Sequence, residues 1–487
     1  MNFVLVVADS LRADRISGSG YPRATTPFLD RLAERGVRFE RAFTPVAPTR
    51  PAIATLLSGQ SPLTHGIVGK RYPRRPRAAM FSLPAALARA GFRTLVVDGM
   101  ADRGGSPWLR RGFGTQVALG ADGSRPRAQE FNGVIRDWLA RRPGAPFFVY
   151  ARYGDTHTPY LPPPRYRHLF YEGDPTARNL GSLASFWERP HRGYFVDGWE
   201  RPLREAWPDA RGARIEDVGF FRAMYDSCVR AFDDGMEELA AILADARALD
   251  DTLLVVTADH GESLGEHDLH FAHVGLHDCV LRVPCIFAGA GVRAAGRRVG
   301  EAIELTDLAP TLLDLAGVPP PAALDGRSLA PWLAASAPDP RSDRPRLACE
   351  ATYRASWALR TATHKTIVPR QPGLPVEIYD LQADPGEHRD LARSEPELRD
   401  ALVRELEETL AAALAARGLD ADPVAAALGR VHAPRARKRS LWRVAQRAVR
   451  DVVHRAGAAA RLATGARGQL WERRNGSSRP EATAQTM

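Results

Sequence analysis

The 487-residue chain has only four cysteines, Cys228, Cys279, Cys285 and Cys349, with no CxxC pair among them. That scarcity excludes a disulfide framework and a cysteine-ligated zinc site, and it leaves buried free thiols as the expectation. Long apolar runs are missing as well. The first apolar stretch stops at Asp9, and no basic segment precedes it. Neither a signal peptide nor a membrane span is therefore expected, and the reading is of a cytoplasmic protein. The net charge of +10 is not spread along the chain: residues 430–487 hold 14 Lys/Arg against 3 Asp/Glu, which leaves the first 429 residues at −1. The basicity belongs to the tail.

A chain of this length exceeds the size at which one core stops growing, so two domains are expected. Strand and helix patterns alternate through the first two thirds. Asn2-Phe-Val-Leu-Val-Val-Ala-Asp9, Arg93-Thr-Leu-Val-Val-Asp98, Ala145-Pro-Phe-Phe-Val-Tyr-Ala151 and Thr252-Leu-Leu-Val-Val-Thr-Ala-Asp259 are short apolar runs. Between them lie amphipathic helical patterns at 26–35, 81–90 and 217–246. Such alternation predicts an α/β fold, a mostly parallel sheet covered by helices on both faces. Residues 164–216 break the rhythm with Tyr166, Phe170, Tyr171, Trp187, Tyr194, Phe195, Trp199 and Trp207, a composition that suits a cap over a site better than disorder. The Pro/Ala/Ser-rich stretch 319–345 predicts a domain boundary, placing one domain at 1–345 and a smaller C-terminal α+β domain at 346–429. In the tail, Leu441, Val444, Ala448 and Val452 recur at helical spacing among basic residues. This reads either as a solvated helix or as peripheral contact with anionic membrane or nucleic acid. Residues 475–487 are polar and expected to be disordered.

The first and last of these apolar runs end on the carboxylates Asp9 and Asp259, and His260 follows the latter. Strand ends at the C-terminal edge of an open parallel sheet are where ligands bind, and acidic and histidine side chains delivered there can grip a metal. Thr49 follows Pro45-Val-Ala-Pro48 and opens a helical pattern. Its hydroxyl is expected near free N–H groups that favour an anion. Thr49 reads either as a helix cap or as a nucleophile.

With these residues laid out, the chain resembles the sulfatase branch of the alkaline-phosphatase superfamily over residues 2–391. The resemblance is carried by Val7-Ala-Asp-Ser-Leu-Arg-Ala-Asp14, Thr49-Arg-Pro with Leu57-Ser-Gly and His65-Gly66, Thr257-Ala-Asp-His-Gly-Glu-Ser-Leu-Gly-Glu-His267, Arg282-Val-Pro284 and Glu377-Ile-Tyr-Asp-Leu-Gln-Ala-Asp-Pro-Gly-Glu387. It implies an alkaline-phosphatase-like core. It also implies a divalent metal on Asp9, Thr49, Asp259 and His260, an oxygen and nitrogen set suited to Zn²⁺ or Mn²⁺ more than to Ca²⁺. The family's nucleophile position falls on Thr49, where sulfatases carry a Cys or Ser that is oxidised to formylglycine; threonine cannot follow that route. Ser10 replaces a second aspartate, and Asp98-Gly-Met100 replaces a Gly-Lys pair. These departures resemble the phosphoric and phosphonic ester enzymes of the superfamily, acting on a small anionic ester. His157 matches a superfamily histidine and His273 falls near the downstream substrate-binding or leaving-group residue; either would serve to protonate the leaving oxygen. Arg50 would either clamp an anionic group or point to solvent. Asp155 and His157 would either ligate a second metal or touch substrate beside a single one, the latter being favoured. A sulfuric ester hydrolase using unmodified threonine, and a non-catalytic binding or membrane-associated relative, are the alternatives.

Overall fold

The apolar runs are strands, and polar runs the sequence reading passed over join them. In the computed structural model, β1 (Asn2–Ala8), β2 (Gly36–Phe43), β3 (Arg93–Val97), β4 (Thr115–Val117), β5 (Phe147–Tyr153), β6 (Thr252–Ala258), β9 (Arg282–Gly289) and β10 (Arg297–Glu304) form one sheet. Its order is β10-β2-β9-β6-β1-β5-β3-β4. A separate short hairpin, β7 (Ser263–Leu264) with β8 (His270–Ala272), follows β6. The residues described are 1–70, 76–77, 80–100, 106–120, 125–141, 144–174, 183, 215, 217–335 and 344–431. Most of the aromatic stretch 164–216 and the basic tail beyond residue 431 lie outside them.

The central strands β1, β5 and β6 pair in parallel, and β9 runs antiparallel between β6 and β2. Strands buried on both faces read as continuous apolar runs. Phe3 to Ala8 are accordingly all buried, as are all seven residues of β5 and of β6. Helices cover the sheet in two groups. Helix Val218–Asp245 packs on helices Ala128–Leu139 and Pro27–Glu34, while Thr49–Ser58, Leu83–Arg89 and Leu308–Leu315 pack on one another. The close approach in the first group requires Gly235, where a Cβ would stand 2.3 Å from that of Ala128. No helix among the described residues is long and apolar enough to cross a membrane.

A smaller antiparallel sheet follows, β11 (Arg346–Glu350), β12 (Ser356–Arg360), β13 (His364–Pro369) and β14 (Glu377–Asp380) in that order, with helix Pro396–Ala415 laid on it through Leu406 and Leu410. It belongs to one compact unit with the main sheet, residues 1–431. Its core also takes in Val46, Ala52, Leu63 and Val68, which flank or lie on the helix that Thr49 opens. Backbone bonds Cys349 N–H to Pro45 O (3.0 Å) and Ala47 N–H to Cys349 O (3.2 Å) stitch β11 to the chain just before Thr49. Fully buried Lys365 on β13 reaches across to Asp278 and Glu387. A buried charge survives only when compensated in this way.

His65, one of the family-like residues, is structural. Its Nδ1 accepts from the Ile67 N–H (3.0 Å), so Nε2–H donates to Thr55 Oγ1 (3.0 Å). Burial pushes its pKa down from 6.5 to about 3. The folded state thus holds neutral imidazole where the unfolded chain takes up a proton. The stabilisation is complete above pH 6.5 and lost as pH falls towards 3, costing roughly 2 kcal/mol by pH 5. Thermal unfolding of the unmodified protein is expected to weaken between pH 7 and 5 more steeply than that of His65→Gln. Parallel pH profiles would remove the assignment.

Candidate active site

Four neighbouring parallel strands deliver charged residues to one edge. Asp259 follows β6, Asp9 follows β1, Arg152 closes β5 and Asp98 follows β3, in the order in which the strands lie side by side. The row reads minus, minus, plus, minus. Arg152 binds Asp98 through Nε (3.0 Å) and Nη2 (2.6 Å), and its Nη1 contacts Asp9 Oδ2. Asp9 and Asp259 have no such cation between them, and His260 closes the gap.

One ligand atom from each of Asp9, Asp259 and His260 lies within 4.8 Å of the others, and all three residues are buried. Asp259 Oδ1 accepts from Ser10 N–H (3.2 Å) and His260 N–H (2.9 Å). Ser10 sits at φ 69°, and this left-handed turn aims its N–H at Asp259. Asp259 Oδ2 is buried with no hydrogen-bond donor among the described residues. His260 Nδ1 is 2.9 Å from the Gly261 carbonyl, which can only accept, so the ring proton is on Nδ1 and the Nε2 lone pair faces the carboxylates. Gly261 is required here, since a Cβ would meet the Cys279 carbonyl at 2.1 Å. An orphaned carboxylate oxygen, a second carboxylate and an imidazole lone pair converging among buried side chains fit a divalent cation.

Thr49 Oγ1 stands 3.1 Å from His260 Nε2. Thr49 is the first residue of helix Thr49–Ser58; Pro48 holds the N-cap place, and no side chain caps that end. The hydroxyl is therefore turned to the acidic cluster and does not cap its own helix. Arg50, the next residue, is half-buried in the same first turn and does not line the cavity described below.

Two further histidines gather against this cluster. His273 stacks on His260 (ring centroids 4.8 Å) and lies 5.2 Å from His157. His157 Nδ1–H donates to the Thr158 carbonyl (2.6 Å), which leaves Nε2 as its open nitrogen. Burial lowers the pKa of His157 despite nearby Asp9, and burial with His260 lowers that of His273 to about 3. Glu262, 3.7 Å from His273 Nδ1, is pushed up to about 7 by burial. Burial and Asp9 raise Asp259 to about 6. Burial would raise Asp9 too, but His157, Arg152 and His260 hold it below the usual carboxylate range. Opposed shifts on adjacent carboxylates mark a site built for charge.

A cavity of about 320 Å³ opens from Asp9, Arg152 and His157 towards Asp155, Arg125 and Arg127. Asp155 Oδ1 accepts from Ala128 N–H (3.3 Å) at the start of helix Ala128–Leu139, and its Oδ2 is buried with no donor among the described residues. Burial raises Asp155 to about 6.

Asp9, Thr49, Asp259, His260, His157 and His273 thus come together, Asp155 lines the adjoining cavity, and Arg50 stands beside Thr49. The sequence reading missed Arg152 and its partner Asp98. An arginine inside an otherwise apolar strand pattern was the available signal, because a buried guanidinium must have a carboxylate. Of the neighbouring histidines, His267 and His277 stack on each other (3.6 Å), and His277 Nε2 bonds Glu377 Oε2 (2.8 Å) beside the smaller sheet.

Comparison with known proteins gives a consistent pattern. The sulfatase family model matches residues 1–318, and a model for the C-terminal region of N-sulphoglucosamine sulphohydrolase matches residues 265–415. The multifunctional alkaline phosphatase superfamily protein PehA of Trinickia caryophylli is 26% identical over 470 residues, covering 80% of this chain and 91% of its own length. An arylsulfatase of Clostridium perfringens is 24% identical over 384 residues, covering 67% and 77%. The crystal structure of the phosphonate monoester hydrolase of Agrobacterium radiobacter superposes with a TM-score of 0.65 at 23% identity, covering 84% of this chain and 95% of its own. That last likeness is one of fold.

Proposed function

Because the chain belongs to the sulfatase family and is a hydrolase of the alkaline-phosphatase superfamily, we propose that it cleaves phosphoric or phosphonic esters with Thr49 as the nucleophile. The observation that carries the reading is Thr49 Oγ1 at 3.1 Å from His260 Nε2, inside the cluster of Asp9 and Asp259. Family members use a divalent metal. Asp9, Asp259, His260 and Thr49 would hold it here, and their mixed oxygen and nitrogen donors favour Zn²⁺ or Mn²⁺ over Ca²⁺. When bound, such an ion favours the alkoxide and offsets charge on the phosphoryl oxygens.

The chain's own residues supply the rest. Thr49 Oγ attacks phosphorus, the bond to the leaving alcohol breaks, and a phospho-Thr49 ester remains. Neutral His157, through its open Nε2, or neutral His273 takes up the proton that Thr49 loses on attack and passes it to the departing oxygen. Water then releases the product, or an acceptor alcohol takes the phosphoryl group and the reaction becomes a transfer. Arg50 and Asp155 contact the substrate. The match to the sulfatase family model favours one second reading, sulfuric ester hydrolysis by unmodified threonine.

Purified protein with Mn²⁺ or Zn²⁺ is expected to hydrolyse at least one of the p-nitrophenyl phosphate monoester, diester and phosphonate. Turnover of p-nitrophenyl sulfate alone would overturn the choice of ester and favour the second reading. Inactivity on all four with metal bound would leave a transferase awaiting its acceptor or a non-catalytic relative.

A further inference from the structure

Beside the reacting centre, the cavity carries more positive charge than the chemistry at phosphorus uses. Arg152 is neutralised by Asp98 and Asp9. Arg127 donates to the Leu161 carbonyl and faces Asp155. Arg125 is different: it lines the cavity while exposed to solvent, and the cation Arg127 is close enough to add to the lowering of its pKa by burial. No carboxylate pairs with Arg125 among the described residues. Asp155 faces Arg127 and not Arg125, so the solvent-open Arg125 guanidinium is available to an anion entering the cavity. The remaining wall is apolar, with Leu119, Phe131 and Leu161. Thr49 is not on this wall, whereas His157 is. In-line displacement puts the leaving group opposite the nucleophile, so the cavity lies on the leaving-group side.

We infer that Arg125 and Arg127 form a subsite for a second anionic group on the leaving alcohol, so that the substrate is an ester of an acidic alcohol or phenol, its carbon frame seated against Leu119, Phe131 and Leu161. This rests on the ester chemistry proposed above and adds the class of alcohol. Both nitrogen forks suit a planar carboxylate, and a sulfonate or phosphate has the same chemistry.

Two substrates test it: the methylphosphonates of 3-carboxy-4-nitrophenol and of its uncharged 3-carbamoyl counterpart. The unmodified enzyme with Mn²⁺ is expected to prefer the carboxylate in kcat/KM by about tenfold or more, as one charge-assisted contact allows. In Arg125→Gln that preference is expected to fall close to unity. A second readout needs no turnover: calorimetric binding of the two free phenols, with the same preference in the unmodified protein and the same loss in Arg125→Gln. Turnover of both esters without preference, and equal binding of the phenols, overturns the subsite and leaves the ester reading standing. Preferential binding without any turnover overturns the ester reading and leaves the subsite standing. If neither appears, both are overturned. An Arg125→Gln protein that unfolds is replaced by Arg127→Gln, for which the same loss of preference is expected.

Discussion

Thr49→Ala is expected to lower kcat/KM on the best phospho-substrate by about 10,000-fold or more, the scale on which removing a nucleophile acts. The loss should come with little change in folding. Thr49 Oγ1 caps nothing in its own helix, and its contact is with His260 Nε2. Thr49→Ser keeps a hydroxyl in the same place, primary instead of secondary, and is expected to retain most of the activity. A purely structural threonine would give the opposite pattern, with alanine and serine variants differing in melting temperature and hardly in rate. Trapping a radiolabelled phosphoryl group on the unmodified chain after rapid acid quench, and not on the alanine variant, identifies the covalent step itself.

Asp259→Asn separates the metal role from the structural one by moving two quantities in opposite directions. Asparagine keeps an oxygen to receive the Ser10 and His260 N–H groups. It removes a charge that burial and Asp9 oppose, as the rise of the Asp259 pKa from 3.8 to about 6 shows. For an acid raised on folding, the cost to the folded state is full above about pH 6 and vanishes below 3.8. At pH 7 the metal-free variant is therefore expected to be more stable than the metal-free parent. Affinity for Mn²⁺ or Zn²⁺ is expected to fall by about 100-fold or more, beyond what loss of an indirect partner of a metal ligand causes. Chemical unfolding in chelator and metal titration by calorimetry read the two. A variant that binds metal as well as the parent would remove Asp259 from the ligand set.

The sequence was most informative where strands are buried on both faces. The runs ending at Asp9 and Asp259 could be read as β1 and β6 because continuous β-branched apolar residues have few other homes, and their carboxylates then had to share an edge. β2 and β10 escaped notice because Arg38, Glu40 and Arg41 interrupt the first and Arg297, Arg298, Gly300 and Glu301 the second. β10 ends the sheet and β2 adjoins it. Strands near the margin need not be apolar throughout. The pairing of Arg152 with Asp98 was beyond reach for another reason: they are 54 positions apart in the chain, and only the pairing of β5 with β3 makes them neighbours. Four histidines within residues 267–277 look alike in sequence. The turn between β7 and β8 sends His273 to the acidic cluster while His277 goes to Glu377.

The segment just before Thr49 is stitched to Cys349 by two backbone bonds, and its neighbours Val46 and Ala52 are covered by side chains of the smaller sheet and its helix. Thr49 is thus made early in translation and its surroundings are completed late. A nascent chain that has exposed Asp9, Thr49 and the Asp259-His260 pair still lacks the β11 strand that fixes the approach to Thr49, and the helix that closes that core ends at Ala415. The surroundings of Thr49 are therefore complete only once the chain has been made as far as Ala415.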